Sequence, residues 1–355
     1  MRATRGRVLA ACGALALLVL ATHRGLAPRP IQRELYVFGS IATIEVVARP
    51  ATARAALAEI ERTLNLRHRE WHPWEASALT RLNDAIARGE PHRPADSVRA
   101  LIEASRPLVA ASDGQFDPGT GALVALWGFH TSDYPVRAPP PGDAAVERLL
   151  ASRPSLLQLR LERGVVSSPN RDVQLDFNAV AEGMATREIV AILAAHGIDD
   201  ALVALGGDVH ALGTRAGRPW RVALRDPAEG TLGSVALARG ESLYASGGYG
   251  RYRERDGARL PHVLDPRSGR PARGALASAV LAGDPVRADA AATALLVAGP
   301  RGWQRTARAM GIACALIVDE AGTVHVTGAM HARLDWTTAR RVERVDRAVA
   351  SCASG

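Results

Sequence analysis

Apolar residues recur at helical spacing in five stretches of the chain. In each stretch they return every three or four positions, which puts them on one face of an α-helix. Gly197 follows the fourth stretch, and glycine often ends a helix in this way. The predicted helices cover about 52–66, 96–111, 143–150, 179–196 and 287–298.

Short apolar or alternating stretches, bounded by Gly, Asn and Pro, predict strands between these helices. The N-terminal one, 35–47, is interrupted at Phe38-Gly39-Ser40. Runs of strands interrupted by single helices favour an α+β protein over a regularly alternating parallel sheet. The remaining predicted strands cover 157–161, 165–167, 173–177, 201–205, 221–224, 234–237, 242–246, 262–264, 277–282 and 313–318.

The first residues carry the pattern of an export signal. Three arginines precede an apolar run from Val8 to Ala21, which is short for a membrane span. Cys12 lies inside that run, whereas the cysteine of a lipoprotein signal should follow it, and no clear small-residue cleavage site comes afterwards. We therefore predict that residues 1–26 are an export signal or an N-terminal anchor, which puts the protein in the periplasm, either free or attached to the inner membrane.

Composition and charge add less to this picture. Hydrophobic residues make up 47% of the chain and aromatic residues 4%, so the core must be built mainly from Ala, Val and Leu. The formal charge of +8 comes from arginines scattered along a chain without lysine, and no nucleic-acid recognition motif accompanies it. Cys314 lies in a predicted buried strand and Cys352 in the C-terminal tail, so the cysteines do not indicate a disulfide framework.

Three segments combine glycines and polar residues next to predicted strands or apolar segments. The segment 113–129 is a glycine-containing turn that leads to Trp127, and it forms either scaffold or one wall of a pocket for a planar ligand. Asp176 and Asn178 precede a helix whose free N–H groups can face phosphate, although either side chain could simply cap that helix. Gly206-Gly207-Asp208 allows a ligand to approach the backbone closely, or is an ordinary turn.

Two later segments carry ionisable side chains. His262 lies in an apolar strand before Asp265, and histidine can move a proton near neutral pH, but a lone histidine in such a strand is more often a core residue. Asp289 and Thr293 lie one helical turn apart on one face of a helix, so their oxygens could bind Mg²⁺. The alternative is that Asp289 only stabilises the start of that helix.

Taken together and in this order, the motifs resemble the FAD:protein FMN transferase family, whose members are also called ApbE-like proteins. The resemblance covers about residues 34–330 and includes 77–83 and Ser246-Gly247 besides the segments above. It implies a two-lobed, T-fold-like α+β architecture with mostly antiparallel sheets, flanking helices and a ligand cleft between the lobes. We accordingly expect a transferase domain over 34–335 and a C-terminal tail over 336–355.

The resemblance also implies the residues of the site. Mg²⁺ would be held by the backbone carbonyl of Ala179 and by the side chains of Asp289 and Thr293. FAD would be the substrate, and FMN would pass to a Thr or Ser of an exported acceptor flavoprotein while AMP leaves. The expected FAD-binding residues are Phe38, Gly39, Ser40, Trp127, Asp176, Asn178, Glu182, Gly206, Gly207, Asp208, Ser246, Gly247 and His262.

The roles of individual side chains follow from the chemistry. A hydroxyl is a poor nucleophile at neutral pH, so we expect His262 to act as the general base and Asp265 to orient it. Glu182 departs from the family pattern, because many relatives carry Lys there and a carboxylate cannot neutralise phosphate. Two alternatives remain open: hydrolysis of FAD to FMN and AMP at the same site, and FAD binding without catalysis by an envelope protein.

Overall fold

The computed structural model describes residues 30–255, 258–346 and 352. The predicted export signal or anchor, residues 1–26, lies outside the described residues. Within these ranges no helix combines the length and the apolar character that a membrane crossing requires.

Helices and strands alternate irregularly along the described chain. The helices are α1 (Pro50–Glu70), α2 (Ala78–Arg88), α3 (Asp96–Ala111), α4 (Gly121–Leu126), α5 (Asp143–Ala151), α6 (Ala181–Ala195), α7 (Pro285–Ala309) and α8 (Gly328–Arg333). The strands are β1 (Ile31–Val37), β2 (Ser40–Val46), β3 (Arg160–Glu162), β4 (Val165–Ser167), β5 (Ala201–Leu205), β6 (Asp208–Leu212), β7 (Trp220–Arg225), β8 (Thr231–Leu237), β9 (Ser242–Gly247), β10 (Tyr252–Arg255), β11 (Ala258–Pro261), β12 (Leu264–Asp265), β13 (Arg270–Pro271), β14 (Ala275–Ala282), β15 (Cys314–Asp319), β16 (Val324–Val326), β17 (Leu334–Trp336) and β18 (Val342–Arg344).

A nine-stranded sheet forms the centre of the fold, in the order β1-β2-β5-β6-β9-β14-β15-β16-β18. All neighbouring pairs in it are antiparallel except β16 and β18. A smaller antiparallel sheet, β17-β8-β7, lies beside it. The expected α+β class with mostly antiparallel sheets is therefore confirmed.

Both faces of the central sheet are covered, which explains why its inner strands read as continuous apolar runs. In β14, Val280 belongs to the hydrophobic core that contains α1, α6 and α7. Its neighbours Ala279 and Leu281 point to the other face, into a second core that contains Trp220 of the small sheet.

The hairpin of β1 and β2 replaces the single strand predicted over 35–47. Phe38 and Gly39 form its two-residue turn, with φ of 55° and 71°, and positive φ at both central positions is what such a turn requires. The turn brings Ser40 to the start of β2, at the edge of the cavity described below.

Two other predictions differ from the structure because side chains replace regular backbone pairing. The segment 173–177 is not a strand: the Asn83 amide donates to the Leu175 carbonyl and its oxygen accepts from the Leu175 N–H, so the backbone is satisfied without a ladder. The stretch 157–161 begins instead as a single 3₁₀ turn, Leu156–Gln158, capped by Ser155.

The cysteines form a disulfide, although the sequence did not indicate a disulfide framework. Cys314 of β15 is bonded to Cys352, with the two Cα atoms 5.2 Å apart. Their sequence separation of 38 conceals this proximity, which arises because β18 returns to lie parallel to β16, the neighbour of β15. Strand β18, which lies in the predicted tail 336–355, is thus paired with the central sheet. The predicted domain limits stay predictions.

Candidate functional site

A cavity of about 360 Å³ gathers residues that are far apart in the sequence. It lies where β2, β6, β9, α6 and α7 come together with the segments 115–121 and 246–251. Twelve of the predicted site residues line it: Ser40, Asp176, Asn178, Ala179, Glu182, Gly206, Asp208, Ser246, Gly247, His262, Asp289 and Thr293.

Five predicted site residues do not line this cavity: Phe38, Gly39, Trp127, Gly207 and Asp265. Trp127 is buried among Leu123, Phe129 and Val146, and its indole N–H donates to the Gly269 carbonyl at 2.7 Å. Phe38 stacks on Trp71 with ring centroids 5.7 Å apart. Gly39 contacts a lining residue instead: its carbonyl accepts a hydrogen bond from Arg251, which lines the cavity. The expected ligand contacts of Phe38, Gly39, Trp127 and Gly207 stay predictions.

Sequence reasoning missed several residues of the cavity wall, above all Trp74 and Arg251. The Trp74 ring stacks on His130 with centroids 5.3 Å apart, and His130 Nε2 lies 3.1 Å from an Asp176 oxygen. A second cavity, of about 380 Å³, is lined by both Trp74 and His130. Two tryptophans within four residues, Trp71 and Trp74, were the available signal in a chain with few aromatic residues.

Three carboxyl groups line the cavity from three different elements: Glu182 of α6, Asp208 of β6 and Asp289 of α7. Burial raises the pKa of all three, and repulsion from Glu182 raises the pKa of Asp208 and Asp289 further. Repulsion between the charges of Glu182 and Asp208 disfavours the state in which both carboxyl groups are ionised.

Glycines allow these carboxyl groups to come close. A Cβ atom on Gly206, whose φ is 60°, would lie 2.5 Å from Glu182 Oε1. A Cβ atom on Gly183 would lie 2.6 Å from the Pro285 carbonyl oxygen and 3.0 Å from Cβ of Asp289. The first turns of α6 and α7 can therefore approach each other only because residue 183 has no side chain.

The donors at Ala179, Asp289 and Thr293 suit a hard divalent cation. Asp289 is buried, and one of its oxygens accepts the Gly183 N–H at 2.8 Å, which leaves the other oxygen for a ligand. Within the described residues the Thr293 hydroxyl makes no hydrogen bond, and no three His, Cys, Asp or Glu side chains converge to hold a metal. A cation here would thus need carbonyl and hydroxyl ligands besides one carboxylate, and the predicted set supplies these oxygens.

His262 is held as a neutral imidazole with one nitrogen available. Its Nδ1 lies 3.1 Å from the Arg251 carbonyl oxygen, which can only accept, so Nδ1 carries the proton and Nε2 keeps its lone pair. Burial, helped by the charge of Arg251, lowers the pKa of His262 to about 4. The expected orientation of His262 by Asp265 is wrong, because both Asp265 oxygens bind the Arg267 guanidinium instead.

Comparison with known proteins decides the family. The sequence model of the ApbE family matches residues 38–316, which is most of the chain. The chain belongs to the ApbE family.

Two sequence relatives of this ApbE-family chain carry the same name. A Rhodobacter capsulatus protein named FAD:protein FMN transferase is 42% identical over 314 residues, 87% of this chain and 59% of the relative, so the chain spans less than two thirds of that protein. A Klebsiella pneumoniae protein of the same name is 32% identical over 279 residues, 76% of this chain and 79% of the relative.

Solved structures agree with the ApbE fold. The ApbE protein of Thermotoga maritima has a TM-score of 0.79 at 26% identity, covering 86% of this chain and 99% of that chain. The apo form of the Pseudomonas stutzeri flavinyl transferase ApbE has a TM-score of 0.76 at 29% identity, covering 88% of this chain and 99% of that chain.

Proposed function

We propose that this chain is an FAD:protein FMN transferase. It cleaves FAD, attaches the FMN half through a phosphoester bond to a Thr or Ser of an acceptor flavoprotein, and releases AMP. The observation that carries the proposal is that Ala179, Asp289, Thr293 and His262, whose Nε2 keeps its lone pair, line one cavity. The names of the relatives support the same activity.

Ala179, Asp289 and Thr293 are the residues that would hold Mg²⁺. When bound, the cation neutralises charge on the diphosphate and favours in-line displacement at phosphorus. Asp289 is fixed for this task by the Gly183 N–H, so little reorganisation of the side chain is needed.

His262 is suited to accept the proton of the acceptor hydroxyl. As that proton moves to Nε2, the hydroxyl oxygen forms a bond to the phosphorus on the riboflavin side of FAD. The bond between this phosphorus and the bridging oxygen breaks, and AMP leaves with the electron pair. The Arg251 carbonyl holds Nδ1–H throughout and so keeps the imidazole in the tautomer that the step requires.

We further propose that the protein works in the periplasm on an exported acceptor, and that residues 1–26 direct its export or anchor it to the inner membrane. The arginines before an apolar run support this localisation. The Cys314–Cys352 disulfide supports it too, because disulfides persist mainly in oxidising compartments.

The test combines the purified chain with FAD, Mg²⁺ and an acceptor domain that carries a target Thr or Ser. We expect a flavin-fluorescent acceptor band in a denaturing gel and one AMP released for each acceptor labelled. AMP release with a dark acceptor would contradict transfer and establish hydrolysis, and FAD binding without AMP would establish a non-catalytic flavin-binding protein. Asp289→Asn, which keeps the shape of the side chain, serves as the inactive control.

A further inference from the structure

The cavity is rich in carboxyl groups and poor in positive charge. Five acidic side chains line it: Asp117, Asp176, Glu182, Asp208 and Asp289. Among the described lining residues Arg251 is the one arginine, and the chain contains no lysine. His262 stays neutral near pH 7, because its pKa lies at about 4. A diphosphate that enters this cavity therefore meets a single positively charged protein group.

The Arg251 guanidinium is largely uncommitted. Its Nη2 donates to the Gly39 carbonyl at 3.2 Å, and this is its one side-chain hydrogen bond within the residues the structure describes. Among the described residues, no carboxylate oxygen lies within 4.0 Å of the Arg251 guanidinium. The nearby Arg253 differs, because its guanidinium donates to the carbonyls of Trp127 and Ala138. A guanidinium has five N–H donors, so four remain for a ligand.

The position of Arg251 fits a phosphate next to the reacting centre. Its own backbone carbonyl holds the Nδ1–H of His262, so the guanidinium belongs to the residue that also orients the proposed base. The planar guanidinium is always charged and can donate to two phosphate oxygens at once. An amide side chain can also donate hydrogen bonds, but it carries no charge.

We propose that Arg251 binds the phosphate groups of the substrate and makes the site selective for phosphorylated flavins over riboflavin. The identity of the substrate rests on the proposed function, but the role of Arg251 in binding does not depend on whether transfer follows. The positive charge of Arg251 would offset part of the repulsion between the substrate phosphates and the carboxylate of Glu182, which lines the same cavity.

The experiment measures dissociation constants of FAD, FMN and riboflavin for the full chain by flavin fluorescence titration, with a chelator present so that no divalent cation contributes. Arg251→Gln should weaken FAD and FMN by roughly 10- to 100-fold, the loss expected for a charge-assisted hydrogen bond. Riboflavin, which has no phosphate, should bind as it does to the unchanged chain. Arg251→Lys, which keeps the charge, should lose less FAD affinity than the Gln variant.

Arg259→Gln is the matched control. Arg259 lies on β11 with its guanidinium 4.7 Å from the Tyr252 ring centroid, but it does not line the cavity. This variant should bind all three flavins unchanged, and thermal unfolding of each variant checks that it is folded. If Arg251→Gln does not fold, Arg251→Lys replaces it, and the ratio of FAD affinity to riboflavin affinity is compared with that of the unchanged chain.

Two results would overturn the inference: unchanged FAD affinity in Arg251→Gln, or an equal loss for riboflavin and FAD. Failure of the proposed function looks different. The unchanged chain would then bind FAD in an Arg251-dependent way and yet label no acceptor.

Discussion

Among single residues, Gly206 in the cavity wall has no room for a side chain, because Glu182 lies against it. Gly206 combines a left-handed φ of 60° with a carboxylate oxygen 2.5 Å from the place where Cβ would be. The sequence indicated that this glycine permits close approach, but not that the approaching group is a side chain of the protein itself. Glu182 thus occupies space that the sequence assigned to a ligand.

Gly206→Ala tests this contact, with Gly217→Ala as its control. Gly217 also has a positive φ, of 83°, but no atom lies within 4 Å of its Cβ position, so it suffers backbone strain alone. Strain of about 1 kcal/mol is expected in both variants. Gly206→Ala should lose more stability in urea unfolding and should also bind FAD more weakly, because Glu182 must move.

Removing the carboxylate should restore part of the loss. The double variant Gly206→Ala with Glu182→Ala is expected to be more stable than the sum of the two single changes predicts. Strict additivity of the two changes would show that Gly206 and Glu182 do not interact.

Two histidines make the stability of the fold sensitive to acid. Burial lowers the pKa of His210 to about 4, opposed only by the charge of Asp284, and the pKa of His262 also lies at about 4. Both values lie below the unfolded value of about 6.5, so the unfolded chain binds more protons between pH 6.5 and pH 4. Stability is therefore complete above pH 6.5 and is lost as the pH falls through this window.

His210→Asn measures this contribution, since the Asn amide can replace Nδ1 in the hydrogen bond to Ser242. Between pH 7.5 and pH 5 each histidine should account for about 2 kcal/mol of lost unfolding free energy. Urea midpoints at the two pH values should therefore differ less in the variant than in the unchanged chain. The same difference in both proteins would contradict a buried neutral His210.

At the scale of elements, periodicity predicted the helices that build the site better than the strands. The pattern over 179–196 and 287–298 located α6 and α7, and the predicted end at 298 falls at Gly299, where φ is 60° and the helix is interrupted. Asp289 and Thr293 could be paired from their spacing alone. Trp74, Arg251 and the disulfide were missed, because long-range packing brings these residues into place and no local pattern records it.

The disulfide ties the C-terminal segment to β15. In the chain-entropy account, closing 38 residues is worth roughly 4 kcal/mol, less any strain. Replacing both Cys314 and Cys352 by Ser should therefore lower the melting temperature, and reduction of the unchanged chain should do the same. Titratable thiols at both Cys314 and Cys352 in the unreduced protein, with a melting temperature equal to that of the double variant, would contradict the bond.

At the scale of the whole molecule, the site exists only when distant parts of the chain meet. The central sheet brings the segment at Ala179 and the first turns of α7 into one cavity with His262. Sequence motifs named most of the participants, whereas the fold determined which of them share the cavity. The proposed reaction depends on oxygen donors at Ala179, Asp289 and Thr293 that serve one divalent cation.

The most direct test is the Mg²⁺ concentration dependence of FMN transfer by the unchanged chain and by Thr293→Val, which has nearly the same shape but lacks the hydroxyl oxygen. We predict that the Val variant needs at least about tenfold more Mg²⁺ for half-maximal transfer, because it has lost one ligand. Identical Mg²⁺ dependence in the two proteins, or transfer that persists in excess chelator, would contradict the account.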